Sequence, residues 1–290
     1  MDMYAIQQIL ERCSREKYLK VKDQFEELDD IFKTTMPFGI KTARMRIIEE
    51  YGWDDETCRK ISKEGEVDLL KYAHENGCNL DQWTCYYASK GGHLECLKYA
   101  HENKCDWDNY TCHNASATGH LECLKYAHEN GCPWDNDTCS EASFGGHLEC
   151  LRYAHENGCP WNGNTCFGAS LKGHLECLRY ACENGCPQSE FICGWASLYG
   201  HLECLKYAHE NGCLWDNSIC SDASQGGHLE CLRYAHDNGC PWDKFTCFCA
   251  SSYEHLECLK YARENGCPIN ISECLQYAKG RCKEYLDSFV

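Results

Sequence analysis

Basic residues are scarce in this chain. Lys and Arg number 28 against 45 Asp and Glu, which gives a formal charge of −17 over 290 residues. No stretch is basic enough to neutralise a run of phosphates, so nucleic acid is excluded as a partner, and a neutral or basic protein fits better. Long apolar runs are also missing. None approaches the roughly 20 residues that a membrane span needs, so no membrane association is expected. Met1 to Leu10 carries Asp2 and lacks the basic-then-apolar order of an export leader. The repeats described below contain no Cys-x-x-Cys pair, which removes the most specific sequence signature of a zinc site.

Cysteine and periodicity are abundant instead. There are 28 cysteines and 14 histidines. From His93 onward, one segment recurs every 27 residues without gap or insertion: H-L-E-C-L-K/R-Y-A-H-E-N-G-C-P-W-D-x-x-T-C-x-x-A-S-x-x-G. His93, His120, His147, His174, His201, His228 and His255 each open a copy. All cysteines except Cys13, Cys182, Cys249 and Cys282, and all histidines except His113, stand at fixed places in the repeat. A fixed period in this range means stacked supersecondary units rather than a compact enzyme fold. Each unit then touches only its neighbours, and added length adds repeats. A cysteine content at this level marks disulfide scaffolds in short secreted chains. Here the chain is long and shows no leader, and free cysteine also serves as a small buried hydrophobe. Reduced core thiols in the cytoplasm are therefore expected, with an extracellular or virion-associated setting as the alternative if they are oxidised.

The copy at 120–146 illustrates the unit. Leu121, Cys123, Leu124, Tyr126 and Ala127 give an apolar face at helical spacing, which predicts a helix over His120–Asn130. Glu122 lies in its first turn and faces Lys125 at i,i+3. Gly131 supplies a left-handed stop, with Pro133 just beyond. Asp135 or Asn136 then caps a second, shorter helix from about Asp137 to Phe144. Its small residues Cys139, Ala142 and Ser143 permit close packing. Trp134, with Trp107, Trp161, Trp215 and Trp242, is expected to cap the joint between neighbours. Unequal helix lengths imply that the stack curves.

These residues resemble ankyrin repeats. G-H-L-E-C-L-K-Y-A-H-E-N-G-C-P-W is similar to the second ankyrin helix and the turn after it, with Gly-Cys-Pro-Trp where the family has Gly-Ala-Asp-Val. T-C-x-x-A-S-x-x-G is similar to the first helix, whose family form is T-P-L-H-x-A-A-x-x-G. The resemblance spans about residues 39–281 and implies an all-α solenoid of helix-turn-helix units. Ankyrin repeats run to 33 residues. The six absent here fall between Asp135 and Thr138, where the family carries its long β-hairpin fingers. Shortened, Cys- and Trp-rich ankyrin-like units of this kind resemble those of giant viruses and some protists, which implies host cytoplasm if the chain is viral. The expected organisation is an N-terminal helical cap over 1–38, an array over 39–270 and C-terminal capping helices over 271–290.

Three chemistries could be drawn on the recurring residues. His128 and Cys132 are four apart, as are their equivalents, but Gly131 ends the helix between them, and the family frame puts these cysteines in apolar slots. No metal, and no cofactor, is therefore expected. Cys132 and Cys139, seven apart across the turn, are candidates for a bridge. Catalysis needs one oriented nucleophile in a pocket, whereas every Cys and His here has near-identical siblings, so no catalytic residue and no enzyme activity are expected.

What varies between repeats is more informative. Three places change freely: the residue before T-C, the two after it, and the two before the closing glycine. In the ankyrin frame they face the concave side. Many are aromatic, and Trp83, Tyr86, Tyr110, Phe144, Phe167, Phe191, Trp195, Tyr199 and Phe248 are the candidate partner-binding residues; Tyr87, Phe245 and Tyr253 share these places. Exposed aromatic clusters mark protein interfaces. The expected function is a non-enzymatic protein-interaction scaffold. The alternative is a self-assembling structural subunit, a homo-oligomer or head-to-tail filament, in which disulfides could add stability. Protonating all 14 histidines would move the net charge from −17 to −3. Self-association should therefore increase below about pH 6.5, and sedimentation velocity at pH 5.5 and pH 8 measures it; equal profiles would contradict it.

Overall fold

The computed structural model describes residues 56–187, 191–213 and 216–290. The expected N-terminal cap, the repeat frame up to residue 55 and Trp215 lie outside the described residues. Within them the chain forms 18 helices and no strand. The helices are α1 (Thr57–Glu64), α2 (Val67–Glu75), α3 (Gln82–Lys90), α4 (Leu94–Glu102), α5 (Asn109–Ala117), α6 (Leu121–Glu129), α7 (Asn136–Phe144), α8 (Leu148–Glu156) and α9 (Gly163–Lys172). They continue as α10 (Leu175–Glu183), α11 (Ile192–Leu198), α12 (Leu202–Glu210), α13 (Ser218–Gly226), α14 (Leu229–Asp237), α15 (Lys244–Ser252), α16 (Leu256–Glu264), α17 (Ile271–Tyr277) and α18 (Gly280–Asp287).

Odd helices pack side by side in chain order, and even helices form a second, looser layer behind them. Each odd helix also packs on the even helix that follows it. The result is a solenoid of helical hairpins. The odd layer is tight because its contacting residues are small: Cys139, Ala142 and Ser143 on α7 are buried, as are their equivalents along the array. Ser143 Oγ donates to the Thr165 carbonyl at 2.7 Å, and Ser89 and Ser170 make the same bond to Thr111 and Ile192. Leu124 and its 27-residue equivalents fill the space between the layers and are fully buried.

Local signals act as the sequence implies, with one correction. In α6, Lys125 Nζ donates to Glu122 at 2.9 Å, and Gly131 takes φ 85° in the left-handed region. The Cys132 N–H returns to the Ala127 carbonyl at 2.9 Å, which closes the helix end. The sequence reading makes the second helix shorter, but both α6 and α7 have nine residues. Asp135 is the reason: its carboxylate accepts the Asp137 N–H at 3.0 Å, so the helix begins at Asn136. Helices of equal length give the stack no reason to curve on that account. Only residues 130–135 separate α6 from α7, and the long finger has no counterpart there.

The first histidine of each repeat holds neighbouring hairpins together. His93 Nε2–H donates to the Lys63 carbonyl at 3.0 Å, and His201 to the Leu171 carbonyl at 3.1 Å. Each carbonyl belongs to the last turn of the preceding odd helix, where no helical donor remains. The ring sits flat over a glycine 28 residues upstream. A Cβ on Gly146 would lie 2.5 Å from His174 Nδ1. Burial lowers the pKa of His120, His174 and His228, with neighbouring histidines of the ladder adding to the effect. Their share of the charge neutralisation in acid is therefore displaced below pH 6.5.

The glycine and the histidine change together. Gly65, Gly92, Gly119, Gly146, Gly173, Gly200 and Gly227 each precede a histidine by 28 residues. Glu254 occupies the next place in this column, and Cys282 stands where its histidine would. Glu254 keeps the left-handed backbone, φ 66°, with no imidazole above it. By contrast, Gly131 has positive φ but open space around it, and Lys104 replaces it one repeat earlier at φ 64°. The two kinds of glycine should respond differently to alanine. Gly131→Ala should cost about 1–2 kcal/mol for the left-handed backbone. Gly146→Ala should cost that and also displace the ring from its hydrogen bond, about 3 kcal/mol or more in all. Urea-unfolding midpoints compare the two, and equal shifts would show that the imidazole yields without cost.

Candidate interaction face

The second histidine of the repeat, four residues before the glycine-linked cysteine, points to the even-helix side. His128 stacks on Trp134 with centroids 3.6 Å apart, and Trp134 meets Tyr153 of the next hairpin edge-on. His101, His155 and His236 stack in the same way on Trp107, Trp161 and Trp242. His155 Nδ1 shares a hydrogen bond with the Tyr180 hydroxyl at 2.8 Å. The tryptophans thus bridge neighbours, through a histidine of one hairpin and a tyrosine of the next. Where Cys182 replaces this histidine, Gln188 replaces the tryptophan. Tyr207 then becomes buried, under the Arg179 guanidinium at 5.0 Å.

The cysteines point inward. Cys132 Sγ donates to the Asp108 carbonyl at 3.1 Å, which ties the end of one hairpin to its start; Cys159, Cys240 and Cys267 repeat this. His128 and Cys132 therefore lie on opposite sides of the helix end. Among the described residues no group of three His, Cys, Asp or Glu side chains is placed to hold a metal ion.

The thiol partners differ from those that proximity in sequence offers. Cys112 lies against Cys132, Cys139 against Cys159, and Cys220 against Cys240. Cys85 and Cys105 have sulfurs 3.1 Å apart. Each pair is 20 residues apart, within one hairpin, and the seven-residue pairing of Cys132 with Cys139 is not the one formed. Cys58 and Cys78, the first such pair, are joined as a disulfide, and the other described cysteines are free thiols. Cys123, Cys150, Cys204 and Cys258 form a separate column inside the even helices, where burial pushes their thiols up to about 12.

The variable positions occupy the odd helices and the loops that follow them. Of the nine candidate residues, Trp83, Tyr110, Phe144, Phe191 and Tyr199 are exposed, from 38% at Phe144 to 59% at Phe191. Tyr86, Phe167, Trp195 and Phe248 are half-buried, and Phe248 packs against the core. Six of the nine fall in three groups. Trp83 meets Tyr86, which meets Tyr87. Phe167 meets Trp195 edge-on at 5.6 Å, and Trp195 stacks on Tyr199 at 5.8 Å. Phe245 meets Phe248, which meets Tyr277.

Residues other than aromatics also shape this face. Gly168 and Gly194 replace side chains beside Trp195 and Phe167. A Cβ on Gly168 would lie 3.2 Å from that of Phe144, and one on Gly194 would lie 3.0 Å from Asp222 Oδ2. Burial, then repulsion from Asp216, pushes the Asp222 carboxyl up to about 6. Aromatic content alone misses these positions. The signal for them is the column: Asp222 stands 27 residues after Trp195, and Cys249 a further 27 on.

Residues 85–128 match the family model described as Ankyrin repeats (many copies). That stretch runs from the T-C cysteine of α3 to the stacked histidine of α6. Among solved structures, the human ASB11 ankyrin repeat domain is similar at 18% identity, over 54% of this chain and 83% of that one, with a TM-score of 0.47. No curated protein matches the sequence. Among the described residues no helix is long and apolar enough to cross a membrane.

The pairing of thiols can be read chemically. Exposure to glutathione disulfide should give bonds between cysteines 20 apart, Cys112–Cys132 for example, each leaving two molecules of glutathione. Peptide mapping by mass spectrometry identifies them, and a Cys132–Cys139 bond would contradict the geometry.

Proposed function

We propose, from the premise that this chain is an ankyrin-repeat protein, that it is a non-enzymatic scaffold that binds a protein partner along the open face of its odd helices. Ankyrin repeats are generally protein–protein interaction modules. The observation that carries the reading to this face is the contrast between constant and variable residues. The repeated Cys, His and Trp are occupied in holding hairpins together. The aromatic side chains that differ from repeat to repeat lie on the odd helices and their loops, and five of the nine candidates are exposed. Aromatic side chains bury large areas with little conformational entropy to lose, which suits them to anchor an interface.

The partner is a neutral or basic protein, in keeping with a charge of −17. The compartment on this reading is the cytoplasm, in keeping with free thiols at every described cysteine except the bonded pair Cys58 and Cys78, which departs from the expected reduced state. The end of the array supports a capped scaffold over a head-to-tail filament. Glu254 and Cys282 replace the glycine and histidine that link the earlier described hairpins from Gly65 and His93 onward, and Arg281 stands where the next glycine of the column would seat a further repeat's ring.

Replacing Trp195 and Tyr199 together with alanine should lower partner affinity at least tenfold. The melting temperature should fall by no more than a few degrees, because Tyr199 is exposed and Trp195 half-buried. Affinity capture with mass spectrometry, repeated with the double variant, identifies the partner by its loss. A large fall in melting temperature would instead assign the pair to the core. Negative-stain electron microscopy should show short separate particles, and filaments would favour the self-assembling alternative.

A further inference from the structure

The aromatic rings on the odd-helix face are not equivalent in charge. Lys90 Nζ lies 5.6 Å from the Tyr86 ring, Lys172 Nζ 4.6 Å from Phe144, and Lys244 Nζ 5.4 Å from Phe245. Each of those rings already has a cation from this chain. Among the described residues no Lys or Arg lies over the rings of Trp195 and Tyr199. What stands in the same column on the next odd helix is a carboxylate.

Asp222 occupies the place on α13 that Trp195 holds on α11. Its Oδ2 leans into the space left by Gly194, 3.0 Å from where a Cβ would be. No ion pair to Asp222 occurs among the described residues. Phe167 closes the other side of Trp195. Asp222 is thus a half-buried negative charge on the odd helix that follows the one carrying Trp195 and Tyr199, facing the space left by Gly194. Burial makes that charge costly, as the elevated Asp222 pKa reflects, and a cation brought to it offsets the cost. Ring faces attract the same kind of group, and guanidinium stacks on them while its N–H groups reach a carboxylate.

We propose that this patch is the anchor of the interface: it accepts one basic side chain, arginine or lysine, presented by the protein partner to Asp222 and the neighbouring Trp195–Tyr199 pair. The assignment rests on the scaffold reading above and adds to it the chemistry of the group recognised. The overall charge of −17 complements a basic segment, and Asp222 fixes where its one buried cation sits.

The test uses the full chain and a random dodecapeptide display library. Selected peptides should share an arginine or lysine. For a synthetic peptide from the selection, Asp222→Asn should weaken binding at least tenfold, and glutamine in place of the shared basic residue should do the same. The two losses should not add, because they remove one interaction. Asn is isosteric with Asp, and circular dichroism and melting temperature confirm that the fold is kept. A selection without a shared basic residue, an empty selection, or binding indifferent to Asp222→Asn overturns the proposal. Peptides lost with Trp195→Ala/Tyr199→Ala but indifferent to Asp222→Asn would overturn the cation anchor and leave the interaction face standing. Peptides indifferent to both would overturn both.

Discussion

The array depends on an imidazole resting on a glycine. One ring caps an exposed carbonyl at the end of the preceding odd helix and fills the volume that a side chain would otherwise take. The contact works only when both partners are present, because any Cβ at the glycine would occupy the ring's position. It also sets the spacing between hairpins. From that spacing follow the serine bonds across the odd layer and the tryptophan bridges on the other side. A repeat protein is stable through nearest-neighbour interfaces, so one well-made contact copied along the chain governs the whole.

The cysteines answer a different constraint. Odd helices approach closely, and the ends of hairpins must tuck beneath them, so the filler has to be small, apolar and able to satisfy a buried carbonyl. A thiol meets all three requirements as a compact hydrophobe with a weak donor. Cys132 demonstrates it with its bond to the Asp108 carbonyl. The high cysteine content thus reflects one packing solution used many times. Constant residues are absorbed by the stack in this way, and only the variable columns on the odd helices are left to distinguish this chain from any other array of its kind.

Much of this was legible from residues alone. The period gave the solenoid, Gly131 gave the end of the first-read helix, and the variable aromatic positions fall together on the odd helices and the loops that follow them. What escaped was three-dimensional. A pairing of cysteines 20 apart depends on how a hairpin folds back, and nearness in sequence pointed to Cys139 instead of Cys112 as the partner of Cys132. The length of the second helix turned on which residue of Asp135 and Asn136 caps it. Asp222 was hidden because what sets it apart is the space left by Gly194, on a different helix. The link between the two columns at 254 and 282 was visible in the letters, yet its reason is steric and needed coordinates.

Identical joints have a genetic consequence. When every hairpin presents the same ring to the one before and the same glycine to the one after, any hairpin can follow any other. Unequal recombination between copies that removes or adds a whole 27-residue unit leaves each remaining joint intact, so gain or loss of repeats is nearly silent for folding. It is not silent for recognition, since it changes which aromatic groups fall side by side. Glu254 and Cys282 mark the boundary of this freedom. Inside it the gene can lengthen, shorten and reorder the variable aromatic columns while the stack remains the same.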